Sequence, residues 1–343
     1  MRPRAPHASL RCAADLDLTR DAFASSGLNH GLMMLGDGWT SAVLLGAFTG
    51  IQQFALWHQR LGIPRATLAD RLGRLIALGL MRRCCDGGRP ARQGYRLTRA
   101  GLQLYHHVLM FWLWQRRWGG RGPALPSELV HRSCGHAFTP VLACAACRAP
   151  AGMRDLKLAL QVNPVLLERA TRYARSSRLA REDRSGIGLR VDRWSLLIVN
   201  AVMLGCHHFD QLLHVLGISS SVLARRLAGM EDAGLLQAQP DAQDQRRRRY
   251  RLTAASRDLF GYLACLSNWA AQHLQQDASI RPRHKACGHE FVPAVLCSAC
   301  RQSVHPWEVA FTPAHGACIS STPSRKPHVG RTDPSLGQQS RAQ

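Results

Sequence analysis

Apolar positions along this chain follow a helical period over most of its length and a strand period in two short places, and the whole pattern runs twice. Between Pro64 and Leu78, the apolar residues Leu68, Leu72, Leu75 and Ile76 keep i, i+3, i+4 spacing, which predicts an amphipathic helix that Gly79 stops. Ahead of it, a helical pattern begins near Asp21, runs through LNHGLMMLG and ends around Gly36 to Gly38. An apolar run, SAVLLGAF, follows Trp39 and is closed by Thr49-Gly50; a further helix from Phe54 to Leu61 then ends in a Gly62-Ile63-Pro64 turn. Behind it, Leu80 to Arg83 and Tyr95 to Thr98 read as short strands around a Gly/Pro/Arg-rich loop. A last helix from Arg99 to about Arg117 carries Leu102, Leu104, Val108, Phe111 and Trp112.

Adding 155 to Asp37, Trp39, Gly50, Phe54, Gly62, Leu68, Arg71, Gly79 and Tyr95 lands on Asp192, Trp194, Gly205, Phe209, Gly217, Leu223, Arg226, Gly234 and Tyr250, so one module has been duplicated. Helix, helix, tight turn, helix, basic hairpin, helix is the order of a winged helix-turn-helix. The expected fold is therefore mainly α with small β-hairpin wings: two winged helix-turn-helix domains, at 21–120 and 186–276, each followed by a small Cys/His-rich element, at 121–150 and 277–307. A flexible start is expected over 1–20. A basic, partly helical linker is expected over 151–185, and a disordered tail of Ser, Pro, Arg and Gln over 308–343.

The 343 residues suit two cores, and 45 Lys+Arg against 22 Asp+Glu leave a net charge of +23, carried almost wholly by arginine. A field of this sign attracts polyanions, and guanidinium forks onto phosphate or guanine, so double-stranded DNA is the expected partner. No apolar stretch approaches the roughly 20 residues that cross a bilayer. No membrane span is expected, and a cytoplasmic, nucleoid-associated protein is. No Ser/His/Asp order, phosphate loop or paired carboxylates stand out, so no enzyme is expected.

The second helix of each helix-turn-helix pair enters the major groove and presents its N-terminal and outward side chains to the bases. Rotation at helical pitch turns Thr67, Asp70 and Arg74 outward, with Arg65 and Arg71 on the flanks. In the second copy it turns Ser221 and Arg225 outward, with Ser220 and Arg226 on the flanks and Ser219 at the start. Asp70 accepts from cytosine and repels phosphate, whereas Arg225 at the matched position favours guanine or phosphate, so either unlike half-sites or weaker binding by one head is expected. The wings add Arg89 and Arg92 in the first copy, and Arg246, Arg247, Arg248 and Arg249 in the second, as expected phosphate contacts.

Of twelve cysteines, six sit in a second repeated signature, HRSCGHAFTPVLACAACR at 131–148 and HKACGHEFVPAVLCSACR at 284–301, offset by 153. A C-x-x-C turn brings two thiolates to one tetrahedral centre. The expected sets are Cys134, His136, Cys144 and Cys147, and Cys287, His289, Cys297 and Cys300, each holding a structural Zn2+, the alternative being a small cysteine-rich loop packed on the final helix. His131 and His284 also repeat, which leaves the histidine ligand open.

Gly36-Asp37-Gly38-Trp39-Thr40, Phe54, Ile63-Pro64, Leu68, Arg71-Leu72, Gly79-Leu80 and Tyr95-Arg96-Leu97-Thr98, with their second-copy counterparts, resemble the HxlR-type winged-helix transcriptional regulators of bacteria. The resemblance covers about 36–117 and 191–274. It implies a DNA-binding regulator whose terminal helices pair two heads on a pseudo-palindromic operator; here the heads are already fused as an intramolecular pseudo-dimer. A small-molecule effector and a further homodimer are left open. The chain departs from the pattern in two ways: Ser26 and Arg181 stand where many relatives carry a cysteine, and Ala55 stands where the second copy has Asp210. The alternative is a winged-helix protein that binds nucleic acid without sequence preference or serves as an assembly platform.

Overall fold

The two repeats fold alike because the same caps, turns and apolar positions recur in both. The computed structural model describes residues 13–85, 93–119, 126–160, 192–273 and 280–312. Two helices, α1 (Ala13–Ala24) and α2 (Gly27–Leu35), lead into the first winged domain. Asp37 then accepts the Thr40 backbone N–H at 2.9 Å and starts α3 (Gly38–Phe48). α4 (Phe54–Leu61) ends at Gly62, whose φ of +64° is a left-handed cap that a Cβ would strain; α5 (Arg65–Ala77) begins three residues later. β1 (Met81–Cys85) and β2 (Gln93–Leu97) form the wing with Met81 opposite Leu97, and the short α6 (Arg99–Leu102) precedes α7 (Tyr105–Trp118).

In the second repeat, Asp192 accepts the Ser195 N–H at 2.8 Å ahead of α8 (Arg193–Met203). α9 (Phe209–Leu216) ends at Gly217, φ +62°, and α10 (Ser220–Asp232) follows. β6 (Leu236–Pro240) and β7 (Arg248–Leu252) pair with Leu236 opposite Leu252, and α11 (Ala254–Arg257) and α12 (Phe260–His273) complete the domain. Leu68, Leu72 and Leu75 of α5 are buried, as are Leu223, Leu227 and Met230 of α10, on the inward faces that periodicity assigned.

A single buried cluster runs through both repeats, so the two domains share one core. α7 and α12 meet at its centre. There the His107 ring packs, tilted by 33°, on Tyr262, the residue 155 positions later, with ring centroids 4.1 Å apart, and its Nδ1 faces the Tyr262 carbonyl at 3.1 Å. A residue touches its own counterpart only beside a local twofold axis. Around that axis the contacts come in pairs: Trp114 Nε1 donates to the Ala255 carbonyl at 2.8 Å, and its counterpart Trp269 Nε1 donates to the Ala100 carbonyl at 3.3 Å.

The Cys/His elements are exchanged about the same axis. β3 (Glu128–His131), β4 (Pro140–Cys144) and β5 (Leu156–Leu160) follow the first domain; β8 (Ile280–His284), β9 (Pro293–Cys297) and β10 (Val309–Thr312) follow the second. Their pairings are β3 with β10, β4 with β9 and β5 with β8, all antiparallel and all between repeats. At the centre, Leu142 lies opposite Val295, its counterpart at the 153 offset.

Four boundaries differ from expectation. The tail is expected to be disordered from 308, yet residues 309–312 form β10, because β3 of the first repeat supplies a partner strand that local composition does not reveal. α1 begins at Ala13, inside the stretch expected to be loose, because it packs on α9 of the other repeat, where Asp17 meets His214 at 2.8 Å. Residues 156–160 form β5 rather than linker, since β8 supplies a partner strand that local composition does not reveal. The helix expected over Arg99 to Arg117 is interrupted at Gln103–Leu104, and its counterpart between α11 and α12 is interrupted at the same place. The remaining linker, 161–191, and the tail beyond 312 lie outside the described residues. Among the described residues no single helix is long and apolar enough to cross a membrane; α2 and α3 are apolar together but bent by 80°.

Candidate nucleic-acid interface and Cys/His groups

The apolar stripe that seats each α5-type helix leaves its other side in solvent. On α5, Arg65, Asp70 and Arg74 are exposed and Thr67 half-buried; on α10, Ser220, Ser221 and Arg225 are exposed. Arg74 reaches back to the carbonyls of Met33 and Met34 at 3.4 Å each, where the end of α2 offers partial negative charge. Ser219 caps α10, its hydroxyl accepting the Val222 N–H at 3.4 Å. The two outer faces differ at matched positions: Thr67 against Val222, Asp70 against Arg225, Arg74 against Gly229.

Arg71 and Arg226, expected on the flanks of the base-reading face, turn inward instead. Arg71 Nε donates to Asp37 Oδ1 at 2.9 Å and is only 11% exposed, with Asp70 also on its guanidinium. Arg226 pairs with Asp192 in the same way. Each arginine thus ties the recognition helix to the carboxylate that caps α3 or α8, because that carboxylate needs a counter-charge where it is half removed from water. Arg71→Ala is expected to cost about 1–3 kcal/mol, in the range for hydrogen bonds to charged groups. A thermal melt checks this, and an unchanged midpoint would show that the pair is decorative.

The wing arginines of the second repeat are also engaged. Arg247 meets both oxygens of Asp210 at 2.8 and 2.9 Å, Arg248 meets Glu231 at 2.9 Å, and Arg249 lies 3.7 Å from Asp241. Arg246 is exposed, and its backbone N–H donates to Asp244. Exposed pairs of the Arg247 and Arg248 kind contribute little and exchange readily for phosphate, so they lower the wing's net charge without closing it to DNA. Arg89 and Arg92 of the first wing lie outside the described residues.

The cysteines and histidines gather into two groups, but not the two that spacing suggests. His131, Cys134, Cys297 and Cys300 form one; Cys144, Cys147, His284 and Cys287 form the other, with ligand atoms in each group within 4.8 Å of one another. The within-repeat sets fail for a topological reason. Antiparallel pairing of β4 with β9 lays Cys297 opposite Pro140 and Cys144 opposite Pro293, which carries each C-x-x-C turn to the H-x-x-C turn of the other repeat. His136 and His289 are exposed and in neither group, whereas His131 and His284 are buried. Burial, which the sequence alone does not display, is what separates the two histidine candidates.

Backbone turns aim the donors inward. Gly135 and Gly288 donate to the His131 and His284 carbonyls at 2.8 and 2.7 Å, and Arg148 and Arg301, with φ of +59° and +62°, donate to Cys144 and Cys297 carbonyls at 2.8 and 2.9 Å. A left-handed arginine at the same place in both repeats marks a turn held by its surroundings. The Gln302 backbone N–H, aided by Cys297, His131 and Cys134, brings the Cys300 thiol down to about 7, toward the thiolate that binds metals. Behind His131, Glu308 faces Nε2 at 3.7 Å.

Comparison with known proteins settles the family. The HxlR-like helix-turn-helix model matches this chain twice, over residues 34–122 and 189–278, more than half its length. The chain belongs to the HxlR-like helix-turn-helix family. Both HxlR-like matches fall on the winged domains and end before β3 and β8, the first strands of the Cys/His elements. An uncharacterized HTH-type transcriptional regulator of Mycobacterium tuberculosis (strain CDC 1551 / Oshkosh) is 35% identical over 125 residues, covering 36% of this chain and 79% of that protein. A counterpart from Mycobacterium bovis is 34% identical over the same shares. A solved Pseudomonas aeruginosa protein described as a candidate transcription factor is 26% identical, spanning 45% of this chain and 94% of its own, with a TM-score of 0.27.

Proposed function

We propose that this HxlR-like chain is a sequence-specific transcriptional regulator that sets two fused winged-helix heads on a bipartite operator in double-stranded DNA. The observation that carries the reading is the pair of helices α5 and α10, each seated on three buried apolar side chains and each leaving a polar, chemically distinct outer face in solvent. Arg65, Thr67, Asp70 and Arg74 read one half-site, and Ser220, Ser221 and Arg225 the other, while Arg246 and the neighbouring wing arginines contact phosphate. The protein acts in the cytoplasm on the nucleoid, and no catalytic step is assigned to it. Two structural zinc ions belong to this reading: each Cys/His group supplies four protein ligands and keeps no position for a substrate water, so the metal serves architecture.

Selection from genomic DNA followed by footprinting tests the proposal. Two protected blocks of unlike sequence are expected on one face of the duplex, centred about 34–36 Å apart. Arg225→Ala is expected to relax base preference in one block only, at a cost of about 1–3 kcal/mol, roughly 5- to 150-fold in affinity. If bulk competitor DNA displaces the protein from every fragment equally, with affinity set by salt alone, the sequence-specific reading is wrong and the non-specific alternative holds.

A further inference from the structure

Each Cys/His group draws two ligands from each repeat: His131 and Cys134 with Cys297 and Cys300, and Cys144 and Cys147 with His284 and Cys287. The spacings are those of a metal's first sphere rather than of disulfides. Cys134 and Cys297 Sγ are 4.0 Å apart and Cys144 and Cys287 Sγ 3.9 Å, while sulfur to Nδ1 distances run 3.5 and 3.3 Å to His131 and 3.3 and 3.4 Å to His284. A disulfide needs about 2.05 Å. Tetrahedral zinc, with bonds of about 2.3 Å to sulfur and about 2.0–2.1 Å to nitrogen, places sulfurs about 3.8 Å apart and sulfur and nitrogen about 3.5 Å apart. Three soft thiolates and one imidazole are a donor set that selects zinc over hard cations.

We infer that the two metal ions are staples between the repeats, each completed only when both halves of the chain contribute, and that their loading holds the two recognition helices in the relative placement that a bipartite site requires. This rests on the zinc and operator readings above. The mechanical link is direct. β3 and β8 follow α7 and α12, the helices that meet on the local axis, and His131 and His284 end those strands. Metal at both groups therefore clamps the ends of the interface that α7 and α12 begin. Tethering two heads in one fixed geometry raises the affinity for a paired site well above that for either half, and loosening the geometry gives up that gain.

Metal counting on the full-length chain separates this arrangement from one site per repeat. The unaltered chain is expected to hold two zinc ions. Cys134→Ser with Cys297→Ser disables one shared group and is expected to leave one ion, whereas Cys134→Ser with Cys144→Ser disables both and leaves none. The reverse ranking would establish within-repeat sites and overturn the inference. Because serine variants can fail to fold, the unaltered chain loaded with NMR-active cadmium gives a second readout. The β protons of Cys134 and Cys297 are expected to couple to one cadmium resonance and those of Cys144 and Cys287 to the other; Cys134 and Cys144 sharing a resonance overturns the pairing. His136→Ala and His289→Ala, both on exposed side chains, are expected to leave the count at two. For the DNA arm, chelation is expected to lower affinity for the two-block fragment on the order of 10²-fold while single-block fragments keep theirs. Equal affinity for the two-block fragment with and without metal would remove the clamp from DNA binding. A chain that never binds metal would instead defeat the zinc reading, and a chain with two ions but no operator would defeat the regulator reading alone.

Discussion

Trp114→Ala is expected to destabilise the protein by about 3–5 kcal/mol, the range for emptying a buried tryptophan site. Trp114 is 2% exposed, and its indole N–H donates to the Ala255 carbonyl across the local axis. The substitution opens a cavity in the shared core and leaves that carbonyl without its partner. Trp269→Ala removes the counterpart contact to Ala100 and is expected to cost a similar amount. Denaturant unfolding followed by helical circular dichroism measures both. The signature of a shared core is a single cooperative transition that moves as a whole for either variant. Two separated transitions, with only one displaced, would mean that the repeats unfold independently and that the interface contributes little.

Acid is expected to weaken the fold through His107. Its ring is buried against Tyr262, Nδ1 donates to the Tyr262 carbonyl, and Nε2 has no partner among the described residues. Burial, only partly offset by that hydrogen bond, pushes its pKa down from 6.5 to about 4. Above 6.5 the ring is neutral in both folded and unfolded chains, and the full stability is present. As the pH falls from about 6.5 to about 4, the unfolded chain takes up a proton that the folded one refuses, and about 3 kcal/mol is lost. Below about 4 both forms are charged and the loss is complete. His106 and His207 are also held below the usual histidine value by burial, so they add to the same slope. His107→Gln, neutral throughout, is expected to flatten the stability profile between pH 4 and 6.5. An unaltered difference between those two pH values would assign the slope elsewhere.

The winged domains were legible in the sequence because their signals are local. A helix's inward stripe, a glycine at a left-handed cap and a Tyr-Arg-Leu-Thr strand each declare themselves within a few residues, and the second copy repeats every one. The inward turn of Arg71 and Arg226 was also written there, in a form that periodicity does not read. Asp37 with Arg71, and Asp192 with Arg226, persist unchanged between repeats, while the solvent positions beside them have diverged to Asp70 and Arg225 or Arg74 and Gly229. Pairs that a duplication keeps identical are struts; positions it lets drift face outward. The exchange of the Cys/His elements was not legible. C-x-x-C spacing says that two thiolates share a centre but not whose histidine joins them, and that choice is made by strands more than a hundred residues apart.

That exchange has a consequence for biosynthesis. β3, β4 and β5 leave the ribosome with their partner strands still to be translated, since β8, β9 and β10 lie in the second half of the chain. On the order of 150 residues separate the partner strands, and at about 5–20 residues per second the first three strands wait roughly 10–30 s, each with an edge still open. For that interval the nascent chain carries two half-built thiol nests and open strand edges, the surfaces through which neighbouring polypeptides on one message mispair. Joining the two heads in a single polypeptide thus trades a search in solution for a delay in synthesis, and makes the first half a client for whatever shields emerging chains.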